Sequence, residues 1–334
     1  MENGKPRLEV RDLSVAFGLA GGVEALAVDN VSFSVGKGET LALVGESGCG
    51  KSVTCLALMR LLPTPPARLV GGGVFLSGRE LLSLDDREMR RVRGGAMSMI
   101  FQEPMTSFDP VYTMGEQLAE ALLAHGAPED PGEIVPRIDA ALSAVGLPNP
   151  AGLMRRYPHE LSGGMKQRAM IAMALLGDPE IILCDEPTTA LDVTIQAQIM
   201  ELLVQIREER GMSMLFITHN LGLVAEIAQR AAVMYAGRIV ETSRVSDLFD
   251  EPLHPYTRGL LESIPRLNRT VDRLPAIPGT VPGLTSRPAG CKFEPRCRLA
   301  KPICRESDPP LEDKGGGRLC ACHMVAKRGG EGGR

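Results

Sequence analysis

Leu41-Ala-Leu-Val44 is an uninterrupted apolar run, and Gly45-Glu-Ser-Gly-Cys-Gly-Lys-Ser52 follows it directly, ahead of a helical stretch. Strand, then G-x-x-x-x-G-K-S, then helix is the order of a phosphate-binding loop. Glycines let backbone N–H groups curl round phosphate oxygens, and the helix N-terminus adds about half a positive charge. Lys51 suits the β- and γ-phosphates of a nucleotide, and the Ser52 hydroxyl suits Mg2+. Gly45, Glu46, Ser47, Gly48, Cys49, Gly50, Lys51, Ser52 and Val53 are therefore the predicted nucleotide-binding stretch.

Two more apolar runs, Ile181-Ile-Leu-Cys184 and Met214-Leu-Phe-Ile217, read like Leu41–Val44 as strands of a parallel sheet covered on both faces. Each ends in polar residues, and ligands bind at the carboxyl edge of such sheets. By contrast, Leu8–Phe17 and Val31–Val35 alternate apolar and polar residues, which predicts antiparallel strands with one wet face. Helices are predicted at 51–61, 115–125, 133–145, 162–176, 193–209 and 220–230. The stretch from Gln102 to about Leu176 is mostly helical and interrupts the strand–helix alternation, as a helical insertion would.

The chain has 334 residues, roughly two domains' worth. Its 37 Lys and Arg against 41 Asp and Glu argue against a polyanion-binding surface. With 4% aromatic residues and no Trp, base-stacking platforms are not expected either, so no nucleic acid is predicted as partner. The longest membrane-span candidate, Met214 to Gly237, is broken by His219, Asn220, Glu226 and Arg230. Met1-Glu-Asn-Gly-Lys-Pro-Arg7 has no hydrophobic leader, so the expectation is a protein on the cytoplasmic side. Five of eight cysteines and 11 of 25 prolines lie after residue 250. The predicted organisation is a catalytic domain at 1–250, with its helical part at about 103–176, a small Pro- and Cys-rich appendage at 251–325, and a disordered tail at 326–334. The fold class is α/β: a P-loop NTPase (RecA-like) core with an antiparallel β-subdomain, a helical insertion and that appendage.

Carboxylates and other polar groups gather on the same sheet edge. Asp185 ends one strand and suits Mg2+, while Glu186 beside it can polarise an attacking water. Gln102 ends Ser98–Phe101 and His219 ends Met214–Thr218, both placed to sense a γ-phosphate, Gln102 also through Mg2+. Leu161-Ser162-Gly-Gly-Met-Lys-Gln-Arg168 puts a good N-cap and exposed glycine N–H groups at a second helix start, a second anion-binding end.

With that segment the chain resembles the ATP-binding cassette ATPases over about residues 8–245. The resemblance implies that Leu161, Ser162, Gly163, Gly164 and Gln167 form a signature covering the ATP held by a partner cassette. It implies that Asp192 of Thr189-Ala-Leu-Asp192 bridges two cassettes and that Phe17 stacks on adenine. Two ATPs then close a head-to-tail dimer, and Glu186 with His219 promotes hydrolysis. Gln102-Glu-Pro-Met-Thr-Ser-Phe-Asp-Pro110, His254-Pro-Tyr-Thr257, Ile264-Pro265 and Ile277-Pro-Gly-Thr-Val-Pro282 extend the resemblance to the dipeptide/oligopeptide (and nickel) importer ATPases. One departure is Phe108-Asp109, where that family more often has Leu-Asn. The implied partners are two transmembrane permease subunits met by residues 103–113, an extracytoplasmic peptide-binding protein, and a second ATPase subunit, a related chain forming a heterodimer. Nickel or another small solute as cargo stays open, as do a soluble non-transport ABC ATPase and an iron–sulfur protein with a vestigial cassette. Intact Lys51, Asp185, Glu186 and His219 oppose the last of these.

The C-terminal cysteines run Cys291-x5-Cys297-x6-Cys304-x15-Cys320-Ala-Cys322-His323. In a cytoplasmic chain such clustering favours metal or redox chemistry over disulfides. By analogy with peptide-importer ATPases, Cys291, Cys297, Cys304 and Cys322 would hold a [4Fe–4S] cluster and Cys320 would be spare. Lys292, Arg296, Arg298 and Arg305 would offset its charge. Zn2+ with His323, or free thiols, are the alternatives. Cys49, Cys55 and Cys184 read as small apolar fillers.

Overall fold

A computed structural model of the chain describes residues 5–102, 107–125, 130–189, 191–264 and 276–327. The described strands begin with β1 (Leu8–Gly18), β2 (Glu24–Val35), β3 (Thr40–Val44), β4 (Ala67–Leu76), β5 (Arg79–Glu80) and β6 (Met97–Ile100). They continue with β7 (Ile181–Asp185), β8 (Ser213–Thr218), β9 (Arg230–Tyr235), β10 (Arg238–Arg244), β11 (Glu312–Asp313) and β12 (Leu319–Cys320). The chain forms two compact units. One comprises Met1–Arg7, Val35–Glu39 and Ser83–Phe216, the other Leu8–Ser34, Thr40–Leu82 and Ile217–Arg334.

In the first unit β6 and β7 pair in parallel from Met97↔Ile181 to Ile100↔Cys184, with β8 the next strand beyond β7. Every residue of β6, β7 and β8 is buried, as continuous apolar runs require of strands covered on both faces. The helices of the insertion lie at Met114–Ala124, Pro131–Ala144, Pro150–Leu153 and Gly163–Leu175. The first packs on the second and the second on the last. Thr113 and Glu116 close a reciprocal capping box at the start of the first. The predicted segment 103–113 is described only from Ser107 onward, so residues 103–106 lie outside the described residues.

The second unit holds an antiparallel sheet in the order β2-β1-β4-β5 and the parallel pair β3–β9. The wet face foreseen for β1 appears as exposed Arg11 and Asp12, with a register break opposite Gly71–Gly73 of β4. β9 turns into β10 through Ala236-Gly237, both at positive φ (45° and 86°), the geometry of a tight hairpin that keeps the strands' twist. β10 is extended by β12 and then β11. The expected 251–325 appendage builds its interior on this sheet. Phe293 joins Tyr235 of β9 and Tyr256 in one buried cluster, with ring centroids 4.7 to 5.4 Å apart. A short, proline-rich segment has too little apolar surface for a core of its own and gains one this way. Pro265 of the Ile264-Pro265 pair, and residues 328–334 of the predicted disordered tail, lie outside the described residues.

Candidate nucleotide site

β3 leads straight into the glycine-rich turn, and Gly50 in the left-handed region (φ 111°) caps the helix Lys51–Leu58. The turn is tight enough to need glycine at its first position. Gly45 has φ 156°, and a Cβ there would lie 2.2 Å from the Met234 carbonyl oxygen. Lys51 is buried, its ammonium donating to the carbonyls of Gly45 at 2.9 Å and Glu46 at 3.1 Å. Its charge is therefore held inside the loop by backbone acceptors. Cys49 is fully buried, with burial pushing its thiol pKa up, so it is shielded filler and not a reactive nucleophile. Cys55 and Cys184 are fully buried as well.

Two contacts to this loop went unforeseen in the sequence. The Glu46 N–H donates to the Tyr256 hydroxyl at 2.8 Å, and the Glu46 carboxylate accepts from both terminal nitrogens of Arg296 at 2.6 and 3.0 Å. The N–H, carbonyl and carboxylate of Glu46 are thus all engaged by the chain itself. That revises its place among the predicted phosphate-contacting residues: Glu46 braces the turn. No sequence spacing joins position 46 to positions 256 and 296; His254-Pro-Tyr-Thr257 enters the sequence reading only through the family resemblance, and Arg296 only as a counter-charge to a metal cluster. The structure gives His254-Pro-Tyr-Thr257 a role. The Glu241 carboxylate, buried in β10, accepts from the N–H groups of Leu253 and His254, both at 2.8 Å. His254 then caps the helix Pro255–Glu262 by accepting from the Tyr256 N–H. Burial lowers the His254 pKa to about 3, so the ring is neutral and free to accept.

Elsewhere in this unit, His219 is exposed just beyond β8. Phe17 is half-buried near the end of β1, opposite Ala67.

In the other unit, Asp185 closes β7 and is buried, and Glu186 follows at a positive φ of 47°. A non-glycine residue held there carries strain of order 1–3 kcal/mol, which neighbours must sustain. They do: Glu186 Oε2 accepts from Gln102 Nε2 at 3.3 Å and from the Thr189 hydroxyl at 3.0 Å, and the Thr189 N–H returns to the Glu186 carbonyl. Gln102 and Glu186, predicted separately, are therefore brought together. Thr189 as the partner of Glu186 was missed, although its hydroxyl three residues on was a local signal. Ala190 lies outside the described residues.

The Ser162 hydroxyl caps the helix Gly163–Leu175 by accepting from the Met165 N–H at 3.3 Å, and Ser162 and Gly163 are exposed. Leu161 is buried. Gly164 is tighter: a Cβ there would lie 3.1 Å from Ile195. Gln167 departs from expectation. It is 1% exposed, and its Nε2 has no partner among the described residues, so the helix turns it inward and away from any partner-facing surface. Asp192 is exposed and caps the helix Val193–Arg210 through the Ile195 N–H at 2.9 Å.

Cys291, Cys297, Cys304 and Cys322 line one small cavity together with His254, Phe293 and His323. The Cys291 N–H donates to the Cys304 carbonyl at 2.8 Å. Burial raises the thiol pKa of Cys291 (to about 11), Cys297 and Cys322, and it also raises that of Cys320, which packs against Leu253 outside that cavity wall. Among the described residues no three His, Cys, Asp or Glu side chains converge on a point that would hold a single metal ion. The cations expected to offset a cluster are largely committed elsewhere: Arg296 to Glu46, Arg305 to Glu294 and Lys292 to Asp308. No helix among the described residues is long and apolar enough to cross a membrane.

Comparison with known proteins agrees with this geometry. Residues 28–189 match the ABC transporter family, and residues 240–304 match the oligopeptide/dipeptide transporter C-terminal region. A Sinorhizobium fredii protein named as a probable peptide ABC transporter ATP-binding protein is 51% identical, covering 94% of each chain. A Brucella ovis protein with a similar provisional name, a peptide import ATP-binding protein, is 49% identical over 92% of this chain and 94% of its own. Among solved structures, the dimeric ATP-binding cassette MJ0796 in a post-hydrolysis state bound to ADP and Pi superposes with a TM-score of 0.63 at 26% identity, covering 71% of this chain and 98% of that one. A lysine-bearing phosphate loop, a carboxylate pair after a buried strand and relatives that match nearly end to end agree: the chain belongs to the ABC transporter ATP-binding proteins, and it is an ATPase of that family.

Proposed function

We propose that the chain is the ATP-hydrolysing subunit of an importer of di- and oligopeptides, working as a peripheral protein at the cytoplasmic face of the membrane. The observation that carries this reading is the oligopeptide/dipeptide transporter match over residues 240–304, in a chain whose relatives match it over nearly their whole length. Its partners in this reading are two transmembrane permeases, an extracytoplasmic peptide-binding protein and a second, related ATPase chain. Gly45 and residues 47–53 hold the nucleotide phosphates, chiefly through backbone N–H groups, while Glu46 braces the turn, Lys51 neutralises the phosphate charge and Phe17 stacks on the adenine. Glu186 orients and deprotonates the attacking water, with Gln102 and Thr189 fixing its carboxylate. His219 holds the γ-phosphate. Ser162, Gly163 and Gly164 cover the nucleotide of the partner subunit, where Asp192 also reaches. Ser52, Gln102 and Asp185 are the residues assigned to Mg2+, which when bound supplies charge neutralisation at the transferring phosphoryl group.

The same reading gives Cys291, Cys297, Cys304 and Cys322 a structural [4Fe–4S] cluster. What supports it is that these four thiols line one small cavity.

Reconstitution with its permeases in liposomes tests the cargo. Peptide-loaded binding protein is expected to stimulate ATP hydrolysis several-fold, whereas stimulation by a nickel chelate and not by peptide would overturn the assignment. For the cluster, a brown protein whose broad visible absorbance disappears in Cys297→Ser is expected; a colourless zinc-loaded protein would refute it.

A further inference from the structure

A carboxylate at the second position of a phosphate loop is a liability, because it places negative charge in the turn that must receive a triphosphate. Glu46 is such a residue, and Arg296 meets it in a two-pronged contact with the guanidinium side chain only 5% exposed. The arginine is fixed on its other sides too. Its Nε donates to the Pro278 carbonyl at 2.8 Å, another nitrogen reaches the Tyr235 hydroxyl at 3.4 Å, and the cation stands 5.8 Å from the Tyr235 ring centroid. The backbone of residue 46 is held as well, since its N–H is taken by Tyr256. Arg296 sits in a short turn, Glu294–Arg296, closed by the Glu294 N–H on the Cys291 carbonyl and the Cys297 N–H on the Glu294 carbonyl. The C-terminal region thus presents one rigid cation to one loop anion.

We propose that Arg296 is a positioning residue for ATP turnover: it pins Glu46 and cancels its charge, so that the phosphate loop keeps its shape and accepts the triphosphate without repulsion from its own side chain. This rests on the assignment of residues 45–53 to the nucleotide phosphates. It makes the C-terminal region part of the nucleotide site, and it separates affinity from chemistry, because Arg296 acts on the loop and not on the attacking water.

The full-length chain with Mg2+ and ATP supplies the test, by equilibrium ATP binding and steady-state hydrolysis. Arg296→Ala is expected to raise Kd and KM for ATP about tenfold, the worth of a charge-assisted contact, with kcat within about twofold of the parent. Neutralising the exposed carboxylate in the double variant Arg296→Ala/Glu46→Gln is expected to restore affinity to within about threefold, which a merely structural role would not do. Arg298→Ala, at the exposed neighbour, leaves both constants unchanged. Unaltered affinity in Arg296→Ala, or a double variant as weak as the single one, would overturn the proposal. Should Arg296→Ala lose its cooperative melt, Arg296→Lys replaces it: a loss of about threefold supports the role and no loss refutes it. Lys51→Ala is the control on the underlying assignment, since undiminished ATP binding there would remove the loop itself from the site, whatever Arg296 does.

Discussion

The turn after β3 and the turn after β7 both leave a fully buried strand, yet they are built in opposite ways. In residues 45–50 the chemistry is carried by backbone, with Gly45 too close to the Met234 carbonyl to tolerate a Cβ and Lys51 folded on the loop's own carbonyls. In residues 185–189 it is carried by side chains, with Glu186 in a strained left-handed conformation and held by Thr189 and Gln102. The first turn is braced from residues 256 and 296, the second mostly from three residues away. A backbone-built site has no side-chain partner to fix its shape, so its rigidity has to be supplied by distant packing. A side-chain-built site can carry its own support.

Exchanging the two logics breaks them to different degrees. Glu186→Gln is expected to have the largest effect, lowering kcat about a thousandfold while ATP binding persists, as removal of a general base does. Single-turnover hydrolysis with pre-bound ATP measures it, and normal turnover would remove Glu186 from that role. Gly45→Ala comes next: a Cβ 2.2 Å from a carbonyl oxygen forces the loop open, and ATP affinity is expected to fall about a hundredfold with kcat less affected.

The distant brace should also be sensitive to pH. His254 is neutral in the folded chain, with its pKa near 3 against 6.5 for an unburied ring, so the unfolded state binds the proton first. Stability is then full above about pH 6.5 and declines as pH falls, by about 2 kcal/mol at pH 5 from this group. Buried Glu241, with its pKa raised, works in the opposite sense nearer its own range. Urea unfolding at pH 7 and pH 5 reads the slope, and His254→Gln is expected to flatten it. The smallest effect belongs to Thr189→Val, which removes one hydrogen bond to Glu186 and should lower kcat about two- to tenfold without changing ATP affinity. A change in affinity there would blur the distinction between the turns.

Legibility followed the range of the interactions. The strands of buried β3, β7 and β8 and the six predicted helices follow from local apolar patterning, and all six helices appear within a few residues of their expected bounds. Gly71–Gly73 lie inside β4, where the backbone of Arg11 and Asp12 comes close enough that a Cβ on Gly72 would sit 2.5 Å from the Arg11 carbonyl, a close approach that no local pattern announces. Gln167 reads as part of an exposed signature and is buried, because a helix's rotation relative to its neighbours is decided by packing and not by its own sequence.

The sequence alone determined the strand–loop–helix proposed to bind phosphate, the acidic pair after β7 and the capped helix at Ser162, since each depends on residues adjacent along the chain. Tertiary structure decided which side chains brace them: Tyr256 and Arg296 on Glu46, Gln102 on Glu186, and four cysteines drawn round one cavity. The pairings on Glu46 and Glu186 span between 84 and 250 positions for reasons of shape and burial, and no local spacing carries that information, whereas the cysteines were already grouped by their spacing.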